Sequence, residues 1–152
     1  MKLFKMLIFS ALVLSIVGIA SATSPSIMVK DQNITGNMTM GNITIEKVVS
    51  DGPGIVVIEN SLFGKPGGSV GYTAVPNGTS TNVSVTIDTK TATGSLVAAL
   101  HKDLGQPGCL KWPPVDVPQT IGGQPVMKSF NITGSSVNVS LINLTELAKN
   151  RM

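Results

Sequence analysis

Apolar residues in this chain recur on alternate positions in short runs, and glycine, proline or asparagine cuts each run before it reaches helical length. The clearest case is Asn82-Val-Ser-Val-Thr-Ile-Asp88. Successive side chains of a strand alternate faces, so Val83, Val85 and Ile87 point one way and Asn82, Ser84, Thr86 and Asp88 the other. The same phase holds where Ile43 and Ile45 alternate with Asn42, and where Phe130 and Ile132 flank Asn131. Strands are expected at 42–49, 55–60, 70–75, 82–88, 95–101, 126–132 and 137–144. Turns at 51–54, 64–68, 76–78, 106–108 and 121–123 part them, with residues that accept positive φ or fix φ near about −65°. Seven strands in this arrangement predict an all-β fold: an antiparallel sandwich, Ig-like or cupredoxin-like, whose sheets pack about 10 Å apart on an aliphatic core. A short stretch at 144–150 is the one place after the N-terminal leader where a helix is conceivable.

The first residues follow another logic. Lys2 and Lys5 precede an apolar run from Met6 to Ala20, which ends on the small-residue site Ala20-Ser21-Ala22. That is the pattern of a secretory signal peptide over 1–22, cleaved after Ala22. The run falls short of the roughly 20 residues of a spanning helix, and polar residues with Pro25 follow at once. No stable membrane span is therefore expected after cleavage. Residues 23–41, with three methionines and few large apolar groups, read as an N-terminal arm or first hairpin, with the sandwich domain over 42–148.

Charge narrows the function. Asp, Glu, Lys and Arg make up only 12% of the chain, and the formal net charge is +3, two units of which come from Lys2 and Lys5. No Lys/Arg cluster remains beyond the leader, which removes the electrostatic footprint of a nucleic-acid binder. The hydrophilic surface is instead hydroxyl and amide, with 29 Ser and Thr and 10 Asn.

Eight of those 10 asparagines stand in Asn-x-Ser/Thr with no intervening proline: Asn33, Asn37, Asn42, Asn77, Asn82, Asn131, Asn138 and Asn143. With Ser and Thr at 29 of 152 positions, chance would place about two of ten asparagines in that context. The excess points to N-linked glycans as partners. Strand phase turns Asn42, Asn82 and Asn131 away from the core; Asn143, wrapped by Leu141, Ile142 and Leu144, fits that rule least well.

Catalytic and metal constellations are thin. His101 is the one histidine, so a blue-copper set of two His and a Cys fails on ligand count, and a Ser-His-Asp site would have to rest on that single histidine. No phosphate-binding glycine loop or pair of catalytic carboxylates is evident. His101 and Asp103, two apart, would share a face if their strand continues, but two ligands are fewer than zinc or calcium takes. No cofactor or metal is expected. Trp112, beside Pro113 and Pro114, is the best candidate for an exposed aromatic contact. Cys109 is the lone cysteine: it cannot pair within the chain, and is either a partly buried thiol or the site of an intermolecular disulfide.

The order of landmarks from Gly54 to Ile132 resembles a family of exported archaeal β-sandwich domains of unknown function, found in cell-surface proteins of methanogens and halophiles. Those landmarks are Gly54-Ile-Val-Val-Ile58, Gly71-Tyr-Thr-Ala-Val-Pro76, Asn82-Val-Ser-Val-Thr-Ile-Asp88, Leu96-Val-Ala-Ala-Leu-His-Lys-Asp103, Gly105-Gln-Pro-Gly108 and Gly122-Gly-Gln-Pro-Val126. The resemblance implies the fold and a cell-surface setting, and assigns no activity. Cys109-Leu-Lys-Trp112 departs from it where an aromatic-acidic stretch is expected. The expectation is a secreted, glycosylated structural or interaction protein without catalysis, associated with surface-lattice or envelope proteins. The alternative is an extracellular module binding carbohydrate, peptide or ion around His101, Asp103 and Trp112.

Overall fold

The computed structural model describes residues 24–36 and 39–134. The leader, the expected strand at 137–144, the stretch at 144–150 and the acceptors Asn37, Asn138 and Asn143 lie outside them. Eleven strands follow in chain order among the described residues: β1 Ser26–Met28, β2 Gln32–Asn33, β3 Thr35–Gly36, β4 Met40–Ser50, β5 Gly54–Leu62, β6 Lys65–Val75, β7 Gly78–Asp88, β8 Ser95–Lys102, β9 Thr120–Ile121, β10 Gln124–Pro125 and β11 Met127–Thr133. The fold is all-β, and its two larger sheets face one another. In one, β4 lies between β7 on one side and β1 and β3 on the other; the second runs β2-β11-β8-β5-β6, and β9 with β10 makes a separate small hairpin.

The alternating residues supply the core as expected. Ile43, Ile45, Val85 and Ile87 from the first sheet join Val56, Ile58, Leu96, Leu100, Phe130 and Ile132 from the second in one apolar cluster. Burying a Leu- or Ile-sized side chain is worth about 1.5–3 kcal/mol, so this aliphatic set drives the pairing of the sheets. The run Ile55-Val-Val-Ile58 has no alternation because it needs none: every residue from Gly54 to Glu59 is buried, and so is every residue from Leu96 to His101. The two central strands of the larger sheet are covered on both faces, and part of that cover is the connection between β8 and β9, whose Trp112 packs against His101.

One expectation is filled in and one is corrected. The N-terminal segment is built into the sandwich: β1 and β3 pair antiparallel with β4, and β2 pairs with β11, the one parallel pairing among the described residues. The segment crosses from one sheet to the other and back, closing that side of the sandwich. The Lys30–Glu46 ion pair at 2.6 Å and the bonds between the Gln32 side chain and the main chain of Thr44 (2.8 and 3.1 Å) fasten it further. The turn expected at 64–68 is also tighter than the sequence suggests. It consists of Phe63 and Gly64, with φ of 52° and 77°, between the paired residues Leu62 and Lys65. Two central residues of positive φ make the hairpin turn that suits the right-handed twist of its strands.

On the opposite side, β6 turns through Pro76 and Asn77 into β7 and changes sheet. Gly71 permits this corner: an ideal Cβ there would fall inside contact distance of the Thr86 carbonyl oxygen.

Candidate functional site

Two features compete for the role of functional site: the set of acceptor asparagines, and the polar cluster at the end of the sandwich where β8 runs into the 103–118 connection.

All five acceptor asparagines among the described residues are exposed: Asn33, Asn42, Asn77, Asn82 and Asn131. For Asn42 and Asn131 the cause is strand phase, since Ile43, Phe130 and Ile132 beside them are buried. Asn77 sits in the β6–β7 turn. Asn82 has φ of 51°, and the β4–β7 ladder skips its pair with Glu46 between Ile45↔Val83 and Lys47↔Thr81 while keeping the same register on either side. Asparagine tolerates that left-handed conformation better than most side chains. The amides differ in their commitments. The Asn42 Oδ1 accepts the Thr86 hydroxyl at 2.9 Å, and the Asn131 Nδ2 donates to Asp31 at 3.3 Å.

In the second feature Trp112 packs against His101, and the His101 Nδ1 and Asp103 Oδ2 each meet a main-chain group. His101 is buried, and its Nδ1 lies 3.0 Å from the Asp116 carbonyl oxygen, a geometry that places the proton on Nδ1. The indole of Trp112 meets the imidazole edge to face at 6.1 Å between centroids and leaves about half its own surface (49%) in solvent. Asp103 lies beyond the last residue of β8 and does not extend the strand face of His101. It turns into the loop, where Oδ2 accepts the Gly108 N–H at 2.7 Å while Oδ1 is buried without a hydrogen-bond partner. Cys109 is a partly buried free thiol whose N–H closes the turn onto the Gln106 carbonyl.

The residues that organise this loop are ones the sequence did not single out. Asp116, fully buried, accepts N–H groups from Leu104 and Gly105 on Oδ1 (2.9 and 3.1 Å) and from Lys111 on Oδ2 (2.6 Å). These bonds, the one from Lys111 foremost, hold its carboxyl below the ordinary range despite the opposing effect of burial. Gln119, also fully buried, donates to the Ser50 hydroxyl at 2.6 Å and to the His101 carbonyl at 3.3 Å, and accepts the Asp51 N–H at 3.2 Å. It ties the β4–β5 turn to the end of β8. Satisfying buried main-chain groups is a structural task, and it uses up the carboxylate and amide that a ligand would need. Among the described residues no group of three or more His, Cys, Asp or Glu side chains is placed to hold a metal ion. About half of the Trp112 side chain stays accessible, as do Leu104 and Val115 on the same connection.

A protein-family model described as a domain of unknown function, DUF7282, matches residues 25–133, beginning within the expected arm and ending with β11. No curated protein and no solved structure matches the chain.

Proposed function

The chain belongs to the DUF7282 family of domains of unknown function, and from that footing we propose that it is an exported, N-glycosylated domain of an archaeal cell surface, a structural or interaction protein without catalysis. The observation that carries this reading is the outward placement of every acceptor asparagine among the described residues, on an aliphatic sandwich whose strand phase leaves amides and hydroxyls on the surface. Such a surface suits a protein standing against a surface lattice, where sugars shield the backbone from proteases and low charge limits nonspecific adhesion. The leader at 1–22 supplies the export route this reading requires.

Intact-mass spectrometry of the protein isolated from its natural host tests the proposal. The expected mass lacks residues 1–22 and carries one or more oligosaccharides. Protein recovered from inside the cell, leader intact and without sugar, overturns it.

A second reading, an extracellular ligand-binding module, is favoured by one observation, the half-exposed Trp112 above buried His101. A glycan array or peptide panel bound by the protein, and lost on Trp112→Ala with the fold retained, would move the assignment to this reading.

A further inference from the structure

The β5–β6 hairpin ends in a residue that neither folding nor glycosylation explains. Phe63 is 98% exposed, the adjoining Leu62 is 57% exposed, and Phe63 adopts φ of 52°. Asparagine, aspartate or glycine would form this turn at lower conformational cost, and a bulky residue of positive φ is a true outlier. A large aromatic in full solvent, held in an unfavourable backbone conformation at the apex of a protruding turn, marks a contact made outside the described residues.

Charge and area identify the contact. Lys65 is exposed beside the apex, and exposed Lys90 stands on the loop that Asn60 ties to the hairpin by bonds to the Thr91 carbonyl and the Thr93 N–H, each 2.8 Å. The acidic side chain on that loop, Asp88, is engaged with the Lys90 main chain at 2.8 Å, and Glu59 is buried. The end therefore presents two apolar side chains with exposed Lys65 beside them and exposed Lys90 on the tied loop, against the one carboxylate of Asp88. A Phe and a half-exposed Leu bury a few hundred Å² at most, a buried Phe contributing about 150–250 Å². A stable protein interface takes about 800 Å² from each partner. The area is too small for a second copy of the chain and sufficient for insertion into a lipid surface, where aromatic and leucine side chains enter the acyl boundary and lysines meet anionic headgroups. We propose that the Leu62-Phe63 apex inserts into an anionic lipid bilayer, with Lys65 and Lys90 at headgroup level. Asn77, in the turn at the opposite end of β6, then faces away from the lipid.

The test uses the full chain with vesicles of phosphatidylcholine alone or mixed with phosphatidylglycerol. In a Trp112→Phe background, Phe63→Trp places the single indole at the apex; brominated acyl chains should quench it in the mixed vesicles. Independently, with Trp112 in place, Phe63→Ala should weaken cosedimentation with the mixed vesicles about tenfold or more, as expected for withdrawing one phenyl ring from burial. Both variants are first checked for unchanged circular dichroism. Absence of quenching, equal binding by wild type and Phe63→Ala, equal binding to the two vesicle types, or Phe63-dependent self-association without vesicle binding each overturns the proposal.

Discussion

Asp31 holds Asn131 across 100 residues of chain, its Oδ1 accepting the Asn131 backbone N–H at 2.8 Å and its Oδ2 the side-chain N–H at 3.3 Å. The contact fastens the N-terminal segment to β11 beside the parallel pairing of β2, and so helps close one side of the sandwich. The backbone bond, and then the side-chain bond, lower the Asp31 pKa below its ordinary value of 3.8. A carboxylate whose pKa is lower when folded adds stability above the unfolded value, and that stability is lost as pH falls through the folded one. Asp31→Asn is therefore expected to lower Tm slightly at pH 7, the effect being small because the group is exposed. The difference from wild type should begin to close near pH 3.8 and vanish only once the pH has fallen through the lower folded value. Thermal melts of both proteins across that range check it; a gap that stays constant with pH assigns the contact a role other than its charge.

Glu59 should behave in the opposite sense. It is 5% exposed on β5, and burial raises its pKa above the ordinary 4.5, with the charge of His101 opposing that shift. Because the fold disfavours the ionised form, the cost is present in full above the folded pKa and is relieved as pH falls toward the unfolded value. Glu59→Gln keeps the shape and removes the charge, so Tm should rise by a few degrees at pH 7 and match wild type below about pH 4. A variant less stable than wild type at pH 7 would mean that the carboxylate has a stabilising partner.

The β6–β7 corner yields a packing prediction with its own control. A methyl on Gly71 would overlap the Thr86 carbonyl and lie 3.1 Å from the Ile87 Cα, so backbone must move. Gly71→Ala is expected to cost about 1–3 kcal/mol, the usual range for overpacking. At Gly68, on the same strand, a Cβ meets nothing within 4 Å, and Gly68→Ala should lie within about 0.5 kcal/mol of wild type. Chemical denaturation of the pair separates steric closure of the sheets from the general effect of losing a strand glycine.

These sites show where sequence reasoning reaches and where it stops. Val83, Val85 and Ile87 were legible because alternation is local, and the same argument turned Asn42, Asn82 and Asn131 outward. The pairing of β1, β2 and β3 was not legible: each has two or three residues, too short for a period, and Asp31 and Asn131 are neighbours only in the folded chain. Lys65-Pro66-Gly67-Gly68 looked like a turn because Pro and Gly usually interrupt strands. They belong instead to β6, the edge of the larger sheet, where a missing N–H is tolerated. The pair His101 and Asp103 was visible as a motif, but the residues that decide its surroundings are Asp116 and Gln119. Their donors and acceptors are spread over 50 to 119, and no spacing rule connects them.

The acceptor asparagines should not be equivalent if sugar is added to folded or partly folded protein. Transfer requires a free side-chain amide and a segment that can leave the ladder to enter an enzyme site. Asn131 fails on both counts, its Nδ2 bonded to Asp31 and its backbone paired with Ser95. Asn42 is similar, with its Oδ1 accepting from Thr86, its backbone paired between β3 and β7, and the Thr44 N–H of its acceptor triplet held by Gln32. Asn77 lies in an exposed turn, and Asn82 has positive φ where one pair of the ladder is missing. Site-resolved glycopeptide mass spectrometry should accordingly find higher occupancy at Asn77 and Asn82 than at Asn42 and Asn131. Asp31→Ala, which frees the Asn131 amide, should raise occupancy at Asn131 alone. Uniform occupancy at all four would place sugar transfer before the strands pair, and folded-state geometry would then have no part in choosing the sites.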